Sequence, residues 1–86
     1  MTSVAEVKVS IGQALDQADE IHAALAHAAE KLTEVRELLA LTVEGSGHEA
    51  VVNARAAFGQ ALEKAAECQE AVQLGVEEIQ TYTAMI

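Results

Sequence analysis

Three histidines, one cysteine and fourteen carboxylates are the side chains of this chain that could carry chemistry. His22, His27, His48 and Cys68 have the donor atoms of a metal site or an acid–base pair. A heptad reading places His27 facing outward and His48 at the start of the second half, with only His22 beside Cys68 and Gln69. A His22–Cys68 zinc site needs two further ligands at tetrahedral spacing, and the neighbouring positions are apolar. A solvent-edge histidine and a small buried thiol account for the pair more simply.

The carboxylates follow the same logic. Glu30, Glu34 and Glu37, and again Glu63, Glu67 and Glu70, recur at spacings that form solvated outer faces. The inward Glu-x-x-His pairs of di-iron bundles are missing. Glu44-Gly45-Ser46-Gly47 lacks the lysine and the preceding strand of a phosphate loop. No catalytic, cofactor-binding or metal-ligating residue is expected, and the chain reads as a non-enzyme. Four of the five cations behave differently. Arg36 and Arg55, and Lys31 and Lys64, are expected to face one another as like-charged pairs, an arrangement suited to a partner's carboxylates.

The totals bound the class. Eighty-six residues make one small domain, near the size at which a single core barely suffices. Apolar residues reach 51%, mostly Ala and Val, so the core is thin. There is no proline, which favours long uninterrupted helices. A net charge of −9 repels phosphate backbones and anionic lipids, which argues against nucleic-acid binding. A lone cysteine makes no internal disulfide. The start of the chain lacks a basic, apolar signal segment, and no apolar run approaches the ~20 residues of a membrane span. The expectation is a cytoplasmic protein, with secretion lacking a cleaved signal as the alternative.

The elements that position these side chains are two helices. Ser3 followed by Glu6 forms a capping box that opens the first. Apolar residues then recur at Val4, Val7, Ile11, Ala14, Ala18, Ile21, Leu25, Ala28, Leu32, Val35 and Leu39, a heptad that predicts a coiled-coil-like helix over about 4–43. Residues 44–47 stop it. Gly45 reads as the left-handed residue past the helix end, and Ser46 with Glu49 as a second capping box. Helix two, about 47–84, repeats the heptad at Val51, Ala54, Phe58, Ala61, Ala65, Cys68, Val72, Gly75, Ile79, Tyr82 and Ile86. So short a connection predicts an all-α, antiparallel two-helix hairpin, a single domain over 1–86.

Reflecting the helices about the Ser46–Gly47 bond pairs large residues with small ones, as in Leu39/Ala54, Val35/Phe58, Leu32/Ala61 and Leu25/Cys68. Ile21/Val72, Ala14/Ile79, Ile11/Tyr82 and Val7/Ile86 complete the expected seam, with small-on-small layers at Ala18/Gly75 and Ala28/Ala65. Beside it run Leu15/Val76, His22/Gln69, Ala29/Leu62 and Arg36/Arg55. Leu15, Ala29, Leu62 and Val76 widen the apolar stripe beyond a two-helix seam. With Arg36 and Arg55 they are the expected interaction surface, taking a second copy into a four-helix bundle or another helical protein.

Two long helices, a glycine-containing turn near the midpoint, this length and the late Tyr82 resemble the WXG100, or ESAT-6-like, proteins. The resemblance covers nearly the whole chain as architecture. It implies a hairpin that forms homo- or heterodimeric four-helix bundles, associated with type VII secretion. Where the family turn has Trp-x-Gly this chain has glycine without tryptophan, and where the family has an acid four residues after its Tyr this chain has Ile86 after Tyr82. The Ala/Glu-rich composition is also similar to small helical-hairpin proteins of high-GC actinobacteria. Three functions follow: an interaction module serving as scaffold or adaptor, a type VII substrate or partner, and an amphipathic coat on lipid or granule surfaces. The acidic charge and the two-helix register weigh against the last.

Overall fold

The computed structural model describes residues 2–86 as two helices, α1 (Val4–Gly45) and α2 (Glu49–Met85). They pack against each other as an all-α helical hairpin. The molecule is a rod, 64 × 19 × 15 Å. Its length is that of one ~42-residue helix at 1.5 Å per residue, so the two helices lie alongside for nearly their whole course.

Local chemistry explains where α1 begins. Ser3 has extended backbone, its Oγ accepts from the Glu6 N–H (3.1 Å), and Glu6 Oε2 accepts from the Ser3 N–H (3.4 Å). The expected capping box is therefore present. Thr33, Thr42, Thr81 and Thr83 each donate their hydroxyl to the carbonyl four residues earlier, at 2.9 Å. Side chains that compete with the helix in other settings are thereby absorbed into it.

The turn differs from expectation. Gly45 is the last helical residue, and among the described residues none has positive φ. Neither Gly45 nor Gly47 thus supplies a left-handed conformation. Ser46 closes α1 instead of opening α2: its backbone is extended and its N–H donates to the Thr42 carbonyl at 2.7 Å. The cap of α2 is His48, whose Nδ1 accepts from the Ala50 N–H at 3.1 Å. Imidazole here does the work expected of the Ser46 hydroxyl. Helix one runs two residues longer than expected, and helix two starts two residues later.

Much of the expected seam is present: Ile11 is buried, and Val7, Ala18, Leu25, Leu32, Val35, Leu39, Val51, Ala54, Ala61, Ala65, Val72 and Ile79 are half-buried. Residues from the neighbouring line join it, so the helices are turned part of the way from the expected register. Half-buried positions in α1 include Leu15, Ala18, Leu25, Ala29, Leu32, Ala40 and Val43; in α2 they include Val51, Ala54, Leu62, Ala65, Gln69, Val76, Ile79 and Thr83. Nearly all of these mirror a residue equally far from Gly47: Ile11 with Thr83, Leu15 with Ile79, Ala18 with Val76, Leu25 with Gln69, Ala29 with Ala65, Leu32 with Leu62, Ala40 with Ala54 and Val43 with Val51. Several residues expected in the seam lie outside it. Ile21 is 48% exposed, Phe58 37% and Tyr82 45%, and Ala14, Ala28, Cys68 and Gly75 are exposed as well. The physical reason is that the lines on both sides of the seam are largely apolar, so a turn of each helix brings Leu15, Leu62 and Val76 inward, at the cost of half-burying Arg36, whose Nε is left without a hydrogen-bond partner.

Candidate interaction surface

Only Ile11, at 8% exposure, is buried among the described residues. The hairpin is therefore half a core, with one side chain buried and eleven large apolar ones exposed among the described residues.

Leu15, Ala29, Leu62 and Val76 are expected to flank the seam, with the large ones half exposed in a lone hairpin. They are half-buried and mirror one another's neighbours along the hairpin's own seam. The unpartnered apolar lines are Ala14, Ile21 and Ala28 on α1, and Cys68, Gly75 and Tyr82 on α2, each at seven-residue spacing. Ala14 and Gly75 share the wall of one apolar groove with Leu15, Ala18, Val72 and Ile79. Both lines therefore border the seam on the same side of the hairpin. The groove occupies about 240 Å³, larger than the ~150 Å³ cavity that accepts a benzene ring. The Ala18/Gly75 layer is thus open. Phe58 belongs to the same α2 line as Val72 and Ile79 and is 37% exposed. None of these residues carries a charge.

The arginines gather on the other side. Arg36 and Arg55 line one groove with Val43, Val52 and Ala56. The Arg36 guanidinium lies over Gly59, and its Nε is buried without a hydrogen-bond partner. Lys31 pairs with Glu34 at 3.2 Å; both are well exposed, so the pair contributes little. Lys31 and Lys64 are exposed.

Of the candidate ligands, His48 caps α2, while His22, His27 and Cys68 are exposed. Among the described residues no three His, Cys, Asp or Glu side chains converge on a point that could hold a metal. No described helix is long and apolar enough to cross a membrane. What sequence reasoning missed is the groove at Ala14, Ala18 and Gly75. The signal available was the coincidence of two small-on-small layers, which marks a thin place without saying on which side it opens.

The fold defines an all-α helical hairpin. Compared with known protein families, curated proteins and solved structures, the chain matches none.

Proposed function

We propose that the chain is a non-enzymatic protein–protein interaction module, a hairpin that self-associates into a four-helix bundle and serves as a scaffold or adaptor. The observation that supports this reading is the incomplete core: among the described residues Ile11 alone is buried, while Ile21, Phe58, Leu74 and Tyr82 are exposed. The surface area points the same way. The chain exposes 6312 Å², whereas a compact monomer of 9.0 kDa exposes ~4,900 Å². The excess of ~1,400 Å² exceeds the ~800 Å² that each partner of a standard interface buries. Pairing with a different helical protein uses the same surplus. Sedimentation equilibrium, with thermal unfolding over a hundredfold range of concentration, tests the reading. A dimer whose melting point rises with concentration supports it, because association then stabilises the fold. A strict monomer, fully folded at high micromolar concentration, would end it.

A second reading is a WXG100-like partner or substrate of type VII secretion. The two helices joined near the chain's midpoint favour it, and the missing tryptophan and terminal acid weigh against it. Appearance of the protein in culture medium, lost on deletion of residues 81–86, is its expected outcome; retention in the cell would exclude it.

A further inference from the structure

A scaffold that pairs with itself still needs a place for the protein it carries, and the two arginines mark one. Arg36 of α1 and Arg55 of α2 line a single groove with Val43, Val52 and Ala56. Neither arginine makes an ion pair among the described residues, where the pair found is Lys31 with Glu34. The chain has 14 acidic residues to five basic ones, so two unpaired cations in one groove stand apart from their surroundings.

The sequence keeps carboxylates away from both. The positions three and four residues either side of Arg36 hold Leu, Thr, Leu and Ala, and those around Arg55 hold Val, Val, Phe and Gly. Neither helix can therefore neutralise its own arginine. Glu37, next to Arg36 in the chain, lines a different groove with Leu38 and Leu41. Glu63, one turn beyond Gly59 on α2, makes no ion pair with Arg36.

The hairpin also holds Arg36 in place and leaves it unsatisfied. Its guanidinium lies over Gly59, and Nε is buried without a hydrogen-bond partner. Of the three guanidinium nitrogens only Nε is shut in this way. Nη1 and Nη2 thus stay open as a fork, the shape that receives a carboxylate through two parallel hydrogen bonds. An unsatisfied buried donor calls for a missing partner. The groove has a direction as well. Counted from Gly47 at 1.5 Å per residue, Val43 and Val52 lie at ~6–8 Å, and Arg55 and Arg36 at ~12–17 Å. Its apolar end faces the turn, and its cationic end lies about one helical turn further along. A volume of about 210 Å³ gives room for side chains, against ~150 Å³ for a benzene-sized cavity.

We propose that this groove docks a helix of a different protein, one that presents an Asp or Glu and an aliphatic residue one turn away. The carboxylate lies on Arg36 and Arg55. The aliphatic side chain covers Val43 and Val52, the latter 46% exposed. Charge selects this occupant among anions. A net charge of −9 repels nucleic acid and anionic membranes, whose many charges meet the whole rod. A single carboxylate on a partner meets the two arginines alone. A second copy would bring its own −9 along with its glutamates, so a less acidic partner fits better.

The proposal rests on reading the chain as an interaction module, and its test is separate from that of self-association. The purified full chain is titrated with an acetylated, amidated Ala/Gln helical peptide bearing one Glu and one Leu four residues apart. The side-chain Nε–Hε signals of both arginines and the methyl signals of Val43 and Val52 should shift saturably in NMR spectra. Replacing the peptide's Glu with Gln should weaken binding at least tenfold, because charge-assisted hydrogen bonds are the strong ones. Arg36→Met and Arg55→Met should each weaken it several-fold while far-UV circular dichroism is retained. If Arg36→Met disturbs the hairpin, Arg55→Met carries the test. No saturable shift at millimolar peptide, or equal binding of the Glu and Gln peptides, overturns the site. Free isovalerate bound as tightly as the peptide would assign the groove to a small acid. The same shifts on concentrating the chain alone would assign it to a second copy. Either result overturns the partner helix. A monomeric chain that binds the peptide removes self-association and keeps this site.

Discussion

Arg36 lies so close over Gly59 that a Cβ built on the glycine would sit 3.3 Å from Nε and 3.4 Å from Cζ. The glycine is helical, and among the described glycines none has positive φ. Its small size, rather than its backbone freedom, is what the fold uses at this place. Gly12 has nothing within 4 Å of the same position. Replacing a mid-helix glycine with alanine stabilises by roughly 0.5–1 kcal/mol. Gly12→Ala should therefore raise the melting point by several degrees, on the scale of about 4–8 °C per kcal/mol for a domain of this size. Gly59→Ala should gain distinctly less, because the guanidinium must shift. Equal gains in thermal unfolding would mean that the Arg36–Gly59 contact costs nothing to disturb.

Arg36 Nε is buried and makes no hydrogen bond. An orphaned buried donor costs ~1–3 kcal/mol, and an apolar side chain of similar reach avoids that cost. Arg36→Met should leave stability unchanged or raise it by up to ~1 kcal/mol in urea unfolding. Arg55→Met, at an exposed position, should stay within ~0.5 kcal/mol. A clear loss in Arg36→Met alone would show that a partner's acceptor reaches Nε in solution.

The two serine caps are unequal. Ser3 engages its Oγ with the Glu6 N–H, whereas the contact of Ser46 is made by its backbone. Ser3→Ala should cost ~1 kcal/mol and Ser46→Ala within ~0.5 kcal/mol. His48→Ala, which removes the acceptor for Ala50, should cost more than Ser46→Ala. The ranking is read from chemical denaturation midpoints, and a Ser46 effect as large as that of Ser3 would contradict it.

Association of copies that each carry −9 should tighten with salt. Raising ionic strength from 0.1 M to 1 M shortens the Debye length from ~10 Å to ~3 Å and screens the outer carboxylates of the two copies from one another. The dissociation constant should fall several-fold by sedimentation equilibrium. A constant that rises with salt would place attractive ion pairs across the interface, with Lys31 and Lys64 the first candidates.

The hairpin was legible in the residues themselves. Ser3 and Glu6, the Gly-Ser-Gly interruption and the absence of proline place two long helices and one reversal with little ambiguity. The rotation of each helix was not legible. Heptad counting rewarded the line of Ile21, Cys68 and Tyr82, because it is free of charge. The adjacent line, Leu15, Ala29, Leu62 and Val76, is nearly as apolar, though His22, Arg36 and Arg55 interrupt it. Where most apolar residues are alanine, periodicity specifies a wide stripe and leaves its centre undetermined; packing of a few leucines and valines then decides. The groove was illegible for a related reason. A missing side chain has no pattern of its own, and its meaning depends on which neighbours stand beside it.

A rod one helix pair thick has no inner layer. Every backbone amide between Val4 and Met85 lies within a side chain's reach of solvent, on helices that share a single line of contact. Amide exchange in the separated hairpin should then proceed by fraying and by opening of the whole pair, without a slow central segment. Slow exchange, where it is found, should trace the footprint of whatever covers the rod. The pattern of protected amides along α1 and α2 would be an imprint of the partner.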